Sequence, residues 1–98
     1  MTTFFVSRHP GAMEWAASQG LAVDQLITHL DPSYVRSGDT VIGTLPVNLV
    51  AEVCARGARY LHLTLNLPAE LRGKELSSDD MRQFGARTEE FRVVRAES

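Results

Sequence analysis

Thr2-Thr3-Phe4-Phe5-Val6-Ser7-Arg8-His9-Pro10-Gly11-Ala12-Met13-Glu14-Trp15-Ala16-Ala17-Ser18-Gln19-Gly20 is the stretch whose reading decides the fold. Thr2 to Ser7 is short, apolar and aromatic, which is the composition of a buried strand. Pro10 suits a helix start, because its φ is already helical and its missing N–H would lack a partner there. Ala12 to Gln19 reads as that helix, and Gly20 stands where a helix-ending glycine belongs.

Working outward, the same alternation continues. Gln25 to Leu30 reads as a second strand, followed by turns at Asp31-Pro32-Ser33 and Ser37-Gly38-Asp39. Thr40 to Thr44 is a third strand. Pro46 opens a second helix, whose Val47, Val50, Ala51 and Cys54 form one apolar stripe before Gly57 ends it. Tyr60 to Leu65 is a fourth strand, nearly continuous in apolar residues, as a strand covered on both faces should be. Pro68 to Leu76 reads as a polar loop centred on Arg72-Gly73-Lys74. Ser77 with Asp80 three residues on is a capping pattern, so a short helix is expected to run to Phe84 and stop at Gly85. Thr88 to Val94 alternates polar with apolar residues and reads as a final edge strand with one wet face. Strands alternating with helices predict an α/β domain with a mainly parallel sheet and right-handed crossovers. The expected architecture is a small Rossmann-like sheet flanked by helices, with a C-terminal edge strand.

The chain of 98 residues suits a single domain, 1–98. At 44% hydrophobic and 22% charged residues it has the balance of a soluble globular protein. It holds no membrane-spanning run, and Met1-Thr2-Thr3 has no basic stretch leading into an apolar one. A single cysteine, Cys54, leaves no internal disulfide and no cysteine-based metal site. These features fit the cytoplasm. The net charge of −2 argues against a protein that coats bulk DNA or RNA. Nine of the ten basic residues are Arg, whose planar fork suits phosphate, so a compact anionic ligand remains compatible.

In sheets of this class, ligands bind beyond the carboxyl ends of the strands. Two loops fall there. Ser7-Arg8-His9-Pro10-Gly11 combines a glycine that permits close backbone approach, a helix start with free N–H groups, a guanidinium and an imidazole. His9 has an ordinary pKa near 6.5 and so can exchange protons at cellular pH. The competing reading is structural: Arg8 pairs with a surface carboxylate and His9 caps the helix. Gly43-Thr44-Leu45-Pro46-Val47-Asn48 also feeds a helix. Thr44 and Asn48 can reach a ligand there, or can be a cap and a first-turn residue. Trp15 can stack on a base or sit in the core. His29 and His62 lie in apolar strands, where a satisfied core histidine is the commoner case; His29, at a strand end, is the better site candidate. Arg72 and Lys74 can fold over an anionic ligand as a lid or belong to a solvated loop. No His, Cys, Asp or Glu pattern has metal-ligand spacing, so neither a metal nor a cofactor is expected. Arg8-His9 after an apolar strand also resembles the Arg-His-Gly of histidine phosphatases, but Pro10 intervenes before Gly11 and the chain is short for that active site.

Phe5 to Ala12 followed by Glu14-Trp15, His29-Leu30-Asp31-Pro32, Gly38 to Pro46, Gly57-Ala58-Arg59-Tyr60, Gly85-Ala86-Arg87 and Glu90 to Val93 together resemble a small CRISPR-associated family found with type III systems, the Csx-sixteen type. The resemblance runs over nearly the whole chain. It implies a CARF-like domain binding cyclic oligoadenylate and the activity of a ring nuclease, which linearises cyclic tetra-adenylate and switches off the antiviral response. The implied route is metal-independent: a 2′-hydroxyl attacks its neighbouring phosphorus and leaves a 2′,3′-cyclic phosphate. His9, as acid or base, and Arg8 are then the expected catalytic residues. Ser7, Pro10, Gly11, Trp15, Gly43, Thr44, Leu45, Pro46 and Asn48 are the expected ligand contacts. The ring's two-fold symmetry implies a homodimer with the ligand across its interface. A module that binds the ring and sequesters it uncut is the alternative.

Overall fold

The computed structural model describes residues 1–96. Its elements run β1 (Thr3–Val6), α1 (Ala12–Ser18), β2 (Gln25–Ile27), β3 (Thr40–Gly43), α2 (Val47–Ala55), β4 (Arg59–Thr64), α3 (Ser78–Gln83) and β5 (Arg87–Phe91). Single 3-10 turns lie at Pro32–Tyr34 and Ala69–Leu71. The five strands form one sheet in the order β2-β1-β3-β4-β5. β1 pairs in parallel with β2 and β3, and β3 with β4, while β5 runs antiparallel to β4. This is the expected α/β fold with its C-terminal edge strand.

The register sorts the side chains between two layers. Phe5 and Ile42 share the face covered by α1 and α3, where they meet Ala12, Trp15, Ala16 and Met81. Phe4, Val41 and Tyr60 share the opposite face, under Val50 and Val53 of α2. Trp15 stands edge-on to Phe5, with ring centroids 6.4 Å apart. Right-handed crossovers to opposite sides of β1 and β3 put α1 and α2 on opposite faces.

The second strand is shorter than its sequence suggests. It ends at Ile27, and Thr28 to Leu30 form a loop. β2 has β1 as its neighbour in the sheet. The ladder closes where Ser7 N–H donates to the Ile27 carbonyl at 2.9 Å, and β1 then turns away. With no strand alongside, residues 28–30 have nothing to pair with. The last helix follows its capping pattern: Ser77 Oγ accepts Asp80 N–H, and an Asp80 carboxylate oxygen accepts Ser77 N–H, both at 3.1 Å. On β5, Glu90 pairs with Arg59 of β4 at 2.8 Å.

Asp39 ties the sheet's start. Its carboxylate accepts Thr2 N–H and Arg36 N–H, each at 2.9 Å. Those two bonds hold its pKa below the ordinary aspartate value.

Candidate functional site

Strand order reverses between β1 and β3, whose connections leave in opposite directions. That is the topological switch point, where open α/β sheets bind their ligands. A cleft of about 900 Å³ occupies it. Ser7, Arg8 and His9 line it from the loop after β1, and Thr44, Leu45 and Pro46 from the loop after β3. Arg72 to Glu75 line it from the connection between β4 and α3, and His29 and Leu30 from the loop after β2. Past His29 and Leu30 lies a second cavity, of about 580 Å³, lined by Phe4, Ile27 and the exposed ring of Tyr34.

The loop after β1 is built by local hydrogen bonds. Ser7 Oγ accepts His9 N–H at 3.0 Å, which turns the chain at Arg8. Two further bonds stitch it to the segment ahead of α3. Gly11 N–H donates to the Leu76 carbonyl at 3.1 Å, and Leu76 N–H donates to His9 Nδ1 at 3.2 Å. Arg72 to Glu75 run directly into Leu76, so this seam fixes where the polar loop meets the cleft. Among the described residues Arg8, Arg72 and Lys74 make no ion pair. Arg8 thus lines the cleft without pairing with a surface carboxylate among the described residues. Burial holds the His9 imidazole below the ordinary histidine value, Arg8 adds to that shift, and Glu75 opposes it.

The loop after β3 hangs on a residue that the sequence reading passed over. Tyr60 is 1% exposed, and its hydroxyl lies 2.8 Å from the Gly43 carbonyl, 3.0 Å from Leu45 N and 2.8 Å from His62 Nδ1. Burial raises the phenol pKa, so the hydroxyl keeps its proton. The signal available was a tyrosine inside an otherwise apolar strand, since a buried Tyr O–H needs a partner. His62 is half-buried beside it and edge-on to Phe91, a structural position.

Five expected contacts lie elsewhere. Trp15, 1% exposed, is enclosed by the core, so no base can stack on it. Its spacing from Ala12 and Ala16 puts all three on the buried stripe of α1. Gly11 is buried against α3 instead of facing a ligand: a Cβ there would stand 2.0 Å from Ser78 N. Its own N–H and that of Ala12 are taken by the carbonyls of Leu76 and His9, so neither is free for an anion. Gly43 is buried and gives its carbonyl to Tyr60. Pro10 and Asn48 are exposed but do not line the cleft. Thr44 does line it and is not a helix cap; its hydroxyl donates to the Leu63 carbonyl at 3.1 Å, leaving lone pairs. Among the described residues no three His, Cys, Asp or Glu side chains gather to hold a metal ion. No helix among them is long and apolar enough to cross a membrane.

Residues 4–94 match the family model described as "Putative CRISPR-associated protein (Cas_VVA1548)". The chain belongs to this CRISPR-associated family. The match takes in every loop that lines the cleft. No curated protein and no solved structure matches the chain.

Proposed function

We propose that the cleft binds cyclic tetra-adenylate and linearises it, so that this CRISPR-associated protein ends a type III antiviral response. One observation carries the reading. Three cations without ion-pair partners among the described residues, Arg8, Arg72 and Lys74, converge with His9 and Thr44 on the switch-point cleft. A phosphodiester needs such donors, and attack by an internal 2′-hydroxyl asks the protein mainly for alignment and charge stabilisation. The adjoining cavity mixes apolar residues with Gln25, Asp31 and Arg36, and its exposed Tyr34 ring offers a base a stacking partner.

A cleft of about 900 Å³ suits a drug-sized ligand, and a ring of four nucleotides is much larger. Two clefts related by a two-fold axis match the symmetry of the ring, so the working form is a homodimer with one ring between two chains.

The test is incubation with labelled cyclic tetra-adenylate in EDTA, with the products resolved. Linear fragments ending in a 2′,3′-cyclic phosphate are expected. A ring that is bound but intact makes the protein a sequestering module. Absence of binding overturns both readings.

A further inference from the structure

His9 has been given its place in the cleft, and one hydrogen bond fixes what it can do there. Leu76 N–H can only donate, and it points at His9 Nδ1 from 3.2 Å. Nδ1 therefore presents its lone pair to Leu76 and carries no proton. In a neutral imidazole the proton then resides on Nε2. An imidazolium would set its own Nδ1–H against Leu76 N–H, so charging the ring breaks this bond. The surroundings lean the same way, since burial and Arg8 disfavour the charged ring and Glu75 only partly offsets them. Arg72 and Lys74, which share the cleft with the imidazole of His29, add positive charge.

This tautomer excludes two familiar roles. A general base needs a free lone pair, but Nε2 is protonated and the lone pair of Nδ1 is occupied by the main chain. A general acid starting from neutral imidazole would leave an imidazolate, which is too basic to form near neutral pH. What remains is a fixed N–H donor. Neutral histidines are used in this way to polarise substrate oxygens elsewhere.

We propose that His9 acts as a neutral hydrogen-bond donor, through Nε2–H, to a non-bridging phosphoryl oxygen of the ligand, and not as a proton shuttle. The proposal rests on reading the cleft as a phosphodiester site. In the cleavage step the 2′-oxygen bonds to phosphorus and the P–O5′ bond breaks. The 2′-hydroxyl loses a proton to water and the departing 5′-oxygen gains one from water. His9 neither gains nor loses a proton; it steadies the charge that gathers on the phosphorane oxygens.

Three substitutions separate the possibilities. In His9→Gln the longer side chain carries an N–H donor to about the Nε2 position. In His9→Asn the shorter one keeps an oxygen near Nδ1 for Leu76 N–H but has no donor that reaches the ligand. His9→Ala has neither. The donor role predicts cleavage within about tenfold of the parent for Gln, and a loss of about a hundredfold or more for both Asn and Ala. A purely structural role, holding Leu76, predicts the reverse order, with Asn active and Gln impaired. A proton shuttle predicts that all three fail alike. Either result overturns the proposal. The cleavage rate should hold or rise as pH climbs above the histidine range, since solvent takes the 2′-hydroxyl proton; a rate that falls there, marking an imidazolium acid, overturns it too. If the ring is bound but not cut, the same three variants are compared by Kd, with the same order expected. The tautomer is read independently of any ligand, from imidazole ¹⁵N shifts of the free protein at neutral pH. A protonated Nε2 and a bare Nδ1 are expected. A protonated Nδ1 sinks the assignment even if the ring is cut.

Discussion

Removing one oxygen atom from Tyr60 separates two jobs that the residue does at once. Its ring fills the core under α2, while its hydroxyl holds the main chain at Gly43 and Leu45. Tyr60→Phe keeps the first job and strands a buried carbonyl and a half-buried N–H. An unsatisfied buried polar group costs about 1–3 kcal/mol, so the melting temperature should drop, as read by calorimetry. Ring affinity should weaken with it, because the loop that carries Thr44 and Leu45 loses its strap. Arg8 makes the opposite prediction. It is exposed and bonded to no carboxylate among the described residues, so Arg8→Ala should leave stability within about 0.5 kcal/mol of the parent. Binding of cyclic tetra-adenylate should weaken by about 1.5–3 kcal/mol, the range for a hydrogen bond to a charged group. Titration calorimetry on the two variants distinguishes support from contact. Asp39 adds a pH dependence. Its pKa is lowered on folding by Thr2 N–H and Arg36 N–H, so its stabilising effect is complete above the ordinary aspartate range. That effect is lost as pH falls through its depressed value. Asp39→Asn should flatten the acid limb of the stability curve measured by urea unfolding.

At the scale of elements, Gly11 shows how a correct placement can carry a wrong role. Its position between a strand and a helix was legible, and so was the need for a small residue. What was hidden was the neighbour: α3, some 65 residues on, presses against it where a Cβ would lie 2.0 Å from Ser78 N. Sequence patterns report periodicity within an element and say little about which distant element fills the space above it. Gly11→Ala must part α1 from the start of α3, and a misfit of this kind costs about 1–3 kcal/mol. It should also release the Leu76 seam, so cleavage should fall further than the loss of folded protein explains. Strands, helices and the Ser77 capping box were readable because short-range chemistry sets them. The early end of β2 was not, because it depends on where β1 turns. The cleft itself was legible as two loops. The third side, Arg72 to Glu75, could be named as a lid, but its anchorage at Leu76 required the fold.

For the molecule as a whole, the test is stoichiometry. Each chain brings one cleft, and a four-fold ring has a two-fold axis to offer two of them. Sedimentation should show one ring per two chains, and the ring should raise the melting temperature by mass action. One ring per chain would leave the dimer without support.

The Leu76 amide has a use beyond holding His9. It lies outside helix and strand, yet it is hydrogen-bonded to a ring that faces the cleft. Deuterium from the solvent replaces such an amide proton only when the bond opens. Its exchange rate is therefore a clock for the seam. Slowing of that clock when a ligand enters would mark, at one atom, how firmly the loop after β1 and the segment ahead of α3 are locked together.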